Sequence, residues 1–370
     1  MALFGVTVPK WGLAMEEGQL VHWYVEAGAR VAAGDALVDI ETPKITNTLE
    51  ANDTGVVRRV LGKLGDTLPC GHLIAVIDDA EASEEAIEAF VAKTAAEVEE
   101  RQQSAAAGHA EPQMVDAAGE RVRYLAMGEG DAPVLFLHGF GGDLNNWMFN
   151  QPALSSGHRT ISVDLPGHGG SSKNVADGSV ASLATTVIAA MDALDLGSAH
   201  LVGHSLGGAV AMAIASAEPA RALSLTLICS AGLGHEISRA YIEGFLQAKR
   251  RRDLQKVLEL LFADKGLVTA EMAEDLLKFK RLDGAEDALR RIVAANFPDF
   301  VQHGDLRETL ATLRVPLLTI WGKEDCIIPA AHATGLPGRV ELLDGAGHMP
   351  HLEKVSDVNA MLSGHIEAAS

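Results

Sequence analysis

A serine between two glycines is the first sequence feature that could carry out chemistry. The segment Gly203-His204-Ser205-Leu206-Gly207 follows an apolar run and precedes an alanine-rich stretch that is compatible with a helix. A strand, a sharp turn and a helix form the context in which the serine of a G-x-S-x-G sequence is exposed as a nucleophile. The flanking glycines have no side chains to clash in such a turn. We therefore predict that Ser205 is a nucleophile.

A serine hydroxyl needs a base to accept its proton and an acid to orient that base. We predict His348 as the base, because a glycine-containing loop can return it to a sheet edge, and Asp325 as the acid. Serine, acid and histidine follow this order in enzymes that use the same strand–turn–helix nucleophile. Glu324 is the alternative acid. His351 is the rival base, but we expect it to open the final helix and to be structural.

Acyl transfer also needs N–H donors for the negative charge that develops on the carbonyl oxygen. The sequence HGFGG at 138–142 follows an apolar run, and its small residues allow main-chain N–H groups to point inward. We assign the oxyanion hole to the N–H groups of Phe140 and Leu206. The side chain of His138 is expected to be a local hydrogen-bonding group, and Asp164 a turn residue.

The elements around these residues alternate between short apolar runs and helical patterns, which predicts a mostly parallel sheet with helices on both faces. The apolar runs are Val134–Gly139, Thr160–Gly167, Ala199–Ser205, Leu223–Ser230 and Val315–Gly322. A charged helical insertion at about 232–300 interrupts the alternation and is expected to form a cap. Together the motifs and their order resemble the α/β-hydrolase family over roughly Arg121 to Ala368.

Residues 1 to 77 have a different character, with short β-branched runs separated by glycine. A spacing of two glycines, a leucine or isoleucine and a further isoleucine occurs twice with a constant offset of 37 residues. Two similar halves of this size predict a small, pseudo-symmetric, flattened β-sandwich. The repeated positions are Gly28, Gly34, Leu37 and Ile40, and then Gly65, Gly71, Ile74 and Ile77.

A lysine lies between the repeated segments, in the sequence ETPKITN at 41–47. Proline and asparagine favour a turn, which would expose Lys44 at a hairpin tip. The stretch 8–46 resembles the lipoyl domain of 2-oxo acid and acetoin dehydrogenase complexes. That resemblance implies that Lys44 carries lipoate through an amide, although Pro43 stands where the family more often has an acidic residue. Related biotin carriers prefer Met-Lys-Met, which neither Pro43 nor Ile45 fits.

The segment between the two patterned regions is rich in alanine and glutamate, with ten acidic residues against two basic ones over 78–111. Strong helix formers predict that it is partly helical. We predict a carrier domain at 1–77, an acidic linker at 78–115 and a hydrolase-type domain at 116–370. The chain is therefore expected to be multidomain, combining a small all-β lipoyl/biotinyl-type sandwich with an α/β-hydrolase fold.

The composition excludes several classes of protein. A formal net charge of −20 disfavours binding to nucleic acid or to an anionic membrane. The N-terminus lacks the pattern of a secretion signal, so we expect a cytoplasmic protein. The three cysteines form no CxxC pair and the histidines no HExxH spacing, so we predict no metal. Cys326 is expected to be a small buried side chain.

The combination of domains resembles the acetyltransferase (E2) component of the acetoin dehydrogenase complex. The resemblance implies that a thiamine-diphosphate-dependent E1 component loads acetyl onto lipoyl-Lys44. Coenzyme A would then receive the acetyl group, and dihydrolipoyl dehydrogenase (E3) would reoxidise the arm. A homo-oligomer is also implied. The H-x-x-x-D-G sequence of ordinary 2-oxo acid dehydrogenase E2 chains is absent, so transfer would have to use Ser205.

Two other functions remain open from the residues alone. The chain could be a hydrolase of thioesters or esters that carries a lipoyl domain. It could also be a non-catalytic scaffold that only presents lipoyl-Lys44, in which case serine-directed phosphonates would not react with it.

Overall fold

The structure is a computed structural model that describes residues 3–9, 17–41, 46–51, 53–78, 82–94, 110–302 and 306–369. The chain divides into two compact units, residues 1–108 and 109–370. Each unit has its own cluster of buried apolar side chains. The two units are therefore described separately.

The first unit contains two four-stranded sheets in which all pairs of strands are antiparallel. The strands are β1 (Leu3–Thr7), β2 (Glu17–Trp23), β3 (Arg30–Val31), β4 (Ala36–Glu41), β5 (Thr46–Glu50), β6 (Gly55–Val60), β7 (Thr67–Pro69) and β8 (Leu73–Asp78). The strand orders are β1-β8-β6-β3 and β5-β4-β2-β7. A helix, α1, follows over 84–94.

The sequence repeat corresponds to a structural repeat. Gly28 and Gly65 have φ angles of +94° and +89°. The N–H of Gly28 donates to Val57 O at 2.7 Å, and the N–H of Gly65 donates to Leu20 O at 2.7 Å. Each of the two glycines therefore makes the same turn, and its N–H bonds to a strand in the other half of the repeat. The predicted flattened sandwich is confirmed. The strands β2, β3 and β4 correspond to β6, β7 and β8, and the two members of each corresponding pair lie in opposite sheets.

The hairpin that was predicted to present Lys44 is formed by β4 and β5, which pair antiparallel with Glu41 opposite Thr46. Residues 42–45, which include Pro43, Lys44 and Ile45, lie outside the described residues. The described residues thus include the two paired strands that flank the predicted hairpin tip.

The second unit is built on one eight-stranded sheet, ordered β9-β10-β12-β11-β13-β14-β15-β16. The strands β9 and β10 pair antiparallel, as do β10 and β12, and the remaining pairs are parallel. Their bounds are β9 (Gln113–Ala117), β10 (Glu120–Met127), β11 (Val134–Leu137), β12 (Thr160–Val163), β13 (Ala199–His204), β14 (Ala222–Ile228), β15 (Leu317–Gly322) and β16 (Arg339–Leu343). Strand β9 overlaps the end of the predicted linker.

Helices connect these strands. They are α2 (Gln151–Leu154), α3 (Val180–Ala193), α4 (Leu206–Ala217), α5 (Arg239–Gln247), α6 (Arg251–Leu258), α7 (Ala270–Lys280), α8 (Ala285–Asn296), α9 (Arg307–Thr312), α10 (Pro350–Glu353) and α11 (Val355–Ala369). Helices α4 and α11 contact the central strands, and α5 to α8 contact one another. Those four helices lie between β14 and β15, where the sequence predicts the cap. The predicted α/β-hydrolase fold is confirmed.

Five consecutive sheet neighbours, β12, β11, β13, β14 and β15, are nearly or completely buried along their length. This burial explains their continuous apolar sequences, because helices and loops cover both faces of such strands. Among the described helices, none is both long enough and apolar enough to cross a bilayer.

The turn at Gly65 provides a test of the repeat. A methyl group at this position would meet nothing within 4 Å, but the φ angle of +89° is unfavourable for a residue with a side chain. Gly65→Ala should therefore destabilise the first unit by about 1–2 kcal/mol. Gly65→Asn should lose less, because asparagine tolerates positive φ. Hydrogen exchange of the first unit's strands in the full chain measures the loss of stability in both variants. Equal losses in the two variants would contradict this account.

Candidate active site

Ser205 lies in the turn between β13 and α4, with φ +52° and ψ −117°. Its N–H donates to Ile228 O at 2.9 Å, and its carbonyl accepts from the N–H groups of Gly208 and Ala231, both at 3.0 Å. These bonds connect the turn to β14 and to α4, and they hold a backbone conformation that is costly for a non-glycine residue. The serine is 7% exposed.

The glycines around Ser205 allow main-chain segments to approach closely. A Cβ on Gly203 would lie 2.4 Å from Gly207 O, and a Cβ on Gly207 would lie 2.2 Å from Leu137 O. Gly208, which lies outside the five-residue motif, is also required, because its Cβ would lie 2.3 Å from Ser230 Oγ. The turn therefore depends on three glycines rather than two.

His348 and Asp325 form a buried pair. The two residues join through Nδ1 and Oδ2 at 2.8 Å, and their side chains are 2% and 0% exposed. The other oxygen of Asp325 accepts from the N–H groups of Ile327 at 2.8 Å and Ile328 at 3.0 Å. The carboxylate is thus fixed in place, and it orients the imidazole with Nδ1 as the donor and Nε2 free to act as a base.

Glu324, the alternative acid, has another partner. Its Oε2 accepts from the N–H of Ala346 at 3.1 Å, and its own N–H donates to Ala346 O at 3.1 Å. Glu324 therefore holds the loop that carries His348. This geometry favours Asp325 as the acid.

The side chain that precedes Ser205 connects it to the base. His204 Nε2 lies 2.8 Å from the carbonyl oxygen of His348, so this nitrogen is the donor. Burial holds the pKa of His204 well below its usual value, and the nearby His351 and His348 lower it further. A neutral imidazole thus joins the nucleophile strand to the base loop. No sequence pattern predicts this role, because position 204 is a variable residue of the G-x-S-x-G motif.

His351, the rival base, lies in α10 with its side chain completely buried. Its ring centroid lies 4.7 Å from that of Trp147 and 4.7 Å from that of His204. Neither of its nitrogens has a hydrogen-bond partner among the described residues. Burial, with a smaller effect of His348, lowers the pKa of His351 to about 3. Its position fits the expected structural role.

The loop after β11 passes directly against Ser205. A Cβ on Gly139 would lie 3.0 Å from Ser205 Cβ. Within the described part of the chain, the N–H groups of Phe140 and Leu206 have no hydrogen-bond acceptor. Two unpaired N–H groups beside a serine are what a developing oxyanion requires. The Tyr241 hydroxyl of cap helix α5 donates to Phe140 O at 3.1 Å and holds this loop.

His138 and Asp164 also hold the loop that follows β11, through hydrogen bonds. His138 Nε2 accepts from the N–H of Leu165 at 2.9 Å, so its Nδ1 donates to Gly139 O at 2.8 Å. The Asp164 side chain is completely buried, and it accepts from the N–H of Leu144 at 2.8 Å and of Gly170 at 2.6 Å. His138 is a local hydrogen-bonding group, as expected, whereas Asp164 joins several loops.

The cap also reaches the base loop directly. The N–H of His348 donates to Leu261 O at 2.8 Å. Glu353 bridges the two segments, because one carboxylate oxygen accepts from Gly347 N at 2.7 Å and the other accepts from Ala263 N at 2.7 Å. Glu353 belongs to no motif that predicts this role, since a glutamate at the end of a one-turn helix carries no recognisable sequence pattern.

The cysteines differ from one another. Cys326 is exposed, so the expectation of a buried side chain was wrong, because the turn after Asp325 faces solvent at this residue. Cys229 is buried, and its Sγ lies within 4.8 Å of ligand-capable atoms of Asp325 and His348. Burial raises the pKa of the Cys229 thiol, which disfavours the thiolate that a metal needs. The absence of a metal stays a prediction.

Removal of the Glu353 carboxylate should weaken the base loop. Glu353→Ala leaves the buried N–H of Gly347 without its acceptor, which should cost about 1–3 kcal/mol of unfolding free energy. We also expect slower reaction of Ser205 with a fluorophosphonate. Glu353→Gln keeps only one of the two acceptor oxygens, so it should lose one of the two bonds and fall between the wild-type protein and Glu353→Ala. Wild-type rates in Glu353→Ala would show that this bridge does not position the base.

His351 should make the stability of the second unit depend on pH. The unfolded chain binds a proton at this histidine near pH 6.5, whereas the folded chain does so only near its pKa of about 3. Stability is therefore lost as the pH falls from about 6.5 towards 3, by up to about 1.4 kcal/mol per pH unit. His351→Phe should reduce the pH slope of stability in urea unfolding between pH 4.5 and 6.5 by up to about 1.4 kcal/mol per pH unit, while the buried His204 continues to contribute. An unchanged slope would contradict a neutral His351.

Comparison with known proteins supports the fold described for each of the two units. Residues 132–355 match the family model for the alpha/beta hydrolase fold, and residues 5–77 match the model described as biotin-requiring enzyme. A meta-cleavage product hydrolase from Pseudomonas fluorescens IP01, solved with acetates, is similar with a TM-score of 0.64 and 25% identity. That similarity covers 70% of this chain and 98% of the hydrolase.

Two curated relatives are similar along nearly their whole length. Both are named dihydrolipoyllysine-residue acetyltransferase component of acetoin cleaving system. The protein from Pseudomonas putida is 45% identical over 96% of this chain and 96% of its own. The protein from Cupriavidus necator is 42% identical over 98% of this chain and 96% of its own. The chain therefore belongs to the α/β-hydrolase fold family and, along nearly its whole length, to this family of acyltransferases.

Proposed function

We propose that this chain transfers an acetyl group from a lipoyl-lysine thioester to coenzyme A, with Ser205 as the nucleophile. His348 is the base, Asp325 orients it, and the N–H groups of Phe140 and Leu206 bind the oxyanion. The observation that carries the proposal is the buried Asp325–His348 pair. His204, which directly precedes the strained Ser205, hydrogen-bonds to the carbonyl oxygen of His348. The names of the two curated relatives support the reaction and its setting.

The first half of the reaction acylates the serine. His348 Nε2 accepts the proton of Ser205 as Oγ attacks the carbonyl carbon of the thioester. The carbonyl oxygen takes up the negative charge beside the two unpaired N–H groups. The C–S bond then breaks, the thiol leaves with the proton from His348, and an acetyl-Ser205 ester remains.

In the second half of the reaction, the coenzyme A thiol is the nucleophile and Ser205 Oγ is the leaving group. His348 accepts the proton of the coenzyme A thiol, and the sulfur attacks the acetyl carbonyl. The C–O bond to Ser205 breaks, and Oγ recovers the proton from His348. Acetyl-coenzyme A is released, and the chain returns to its starting state.

Lys44 is the proposed attachment site for lipoate, which supplies the thiol that carries the acyl group. The flanking strands β4 and β5 form the hairpin that such a lysine needs, and the unit matches the family model over 5–77. A tether between the two units would raise the local concentration of the donor at Ser205 into the millimolar range, about the value for short flexible linkers.

The names of the relatives place them in an acetoin cleaving system, which supports a thiamine-diphosphate-dependent E1 and a dihydrolipoyl dehydrogenase as partners. A homo-oligomer and a cytoplasmic location stay predictions.

Hydrolysis is the second candidate, and a specific observation favours it. The second unit is similar to a meta-cleavage product hydrolase with a TM-score of 0.64. Water, rather than coenzyme A, would then deacylate Ser205. Transfer therefore requires that the thiol react with the acyl-serine faster than water does.

Trapping of the acyl-enzyme tests the proposal. Protein incubated with acetyl-dihydrolipoamide and quenched rapidly should carry an acetyl group on Ser205 by peptide mass spectrometry. Coenzyme A should remove it and yield acetyl-coenzyme A. Ser205→Ala should lose the acetyl label and lower transfer by several orders of magnitude.

The control is Cys326→Ala, which removes the exposed thiol directly after the proposed triad acid Asp325 and should leave transfer unchanged. Free acetate at an equal rate with and without coenzyme A would favour the hydrolase. Unchanged transfer in Ser205→Ala would reject the proposed mechanism.

A further inference from the structure

A small cavity lies beside the nucleophile turn. Its volume is about 60 Å³. Leu206 and Ala209 line it from α4, Ala231 and Leu306 from the segments after β14 and before α9, and Phe297 from the end of α8. The cavity thus lies between helix α4, which follows the nucleophile turn, and a residue of the cap.

The lining residues connect this cavity to the reacting groups. Leu206 directly follows Ser205, and its N–H is one of the two unpaired donors. The N–H of Ala231 donates to Ser205 O at 3.0 Å. The ring of Phe297 contacts the ring of Phe140, with centroids 6.5 Å apart. Residues that adjoin the serine and both oxyanion donors therefore form its walls.

The polar side chains at the cavity already have partners. Gln302 accepts from the N–H of Gly232 and donates to Glu236 O. Asn296 accepts from the N–H of Val180 at 2.9 Å and donates to Gly178 O and Ile292 O, both at 2.8 Å. These amides are used within the protein, and the remaining side chains that line the cavity are apolar.

The size of the cavity limits what it can hold. An apolar cavity of about 150 Å³ accepts benzene. The present cavity has less than half that volume, which leaves room for a methyl or ethyl group but not for a longer chain or a ring.

We infer that this cavity receives the alkyl end of the acyl group on Ser205 and restricts the chain to short acyl groups, with Leu306 and Phe297 as the residues that set the length. This inference rests on the proposed acyl-serine. It names the acyl class that the site selects, which neither the triad nor the oxyanion donors determine.

The test compares acylation of Ser205 by p-nitrophenyl acetate and p-nitrophenyl butyrate in the full chain, measured as kcat/KM of the initial burst. An apolar pocket discriminates by about 10–200-fold for one methylene group. The wild-type protein should therefore favour acetate over butyrate by at least about tenfold, the lower end of that range. Leu306→Ala should reduce this preference by about tenfold or more, mainly through faster reaction of butyrate.

The matched control is Leu313→Ala. Leu313 is a partly buried leucine like Leu306, but it lines a separate cavity with Leu310 and Val315. The acetate-to-butyrate ratio should not change in this variant. Phe297→Leu provides a second enlargement from the cap side if Leu306→Ala does not fold.

The outcomes separate the inference from the proposed function. Equal rates of the two esters in the wild-type protein, or an unchanged ratio in folded Leu306→Ala and Phe297→Leu, would overturn the acyl-length role while Ser205 remained the nucleophile. If neither ester acylates Ser205, the proposed function itself fails and the inference falls with it.

Discussion

The backbone of Ser205 is the constraint on which the rest of the second unit depends. A residue with a side chain adopts φ +52° only when its surroundings hold it there. Hydrogen bonds to Ile228 O and from Gly208 and Ala231 provide that hold, and three glycines leave room for it. The result is a hydroxyl placed at the start of a helix and against the loop of Phe140. Neighbouring strands and loops are arranged around that single turn.

The loops of the proposed base His348 and of the proposed oxyanion donor Phe140 are different parts of the molecule, yet both are held by the cap. Leu261 O and Glu353 join the cap segment before α7 to the loop of His348. Tyr241, on cap helix α5, holds the carbonyl of Phe140. A movement of the cap would therefore disturb proton transfer and charge stabilisation together. Such coupling offers a physical route by which an enclosed site could favour a thiol over water.

The two units divide the proposed reaction between a carrier and a catalyst. The first unit provides the strands β4 and β5 that flank residues 42–45, and the second provides the site at which we propose that the acyl-serine forms. Each unit has a separate core, so neither requires the other to fold its own sheet. The proposed function then depends on the tether, which sets how often the acyl donor meets Ser205. It also depends on the cavity beside Ser205, which we infer selects the length of the acyl group.

Local sequence determined the parts whose geometry is local. The glycines around Ser205 and at the sandwich turns predict backbone conformations, because only they tolerate close approach or positive φ. Apolar runs predict buried strands, and the order of Ser205, Asp325 and His348 predicts their roles. Only the tertiary structure decided contacts between distant segments. The bond from His204 to His348 O, the bridge made by Glu353, and the exposure of Cys326 follow from how loops meet in space, which no spacing along the chain encodes.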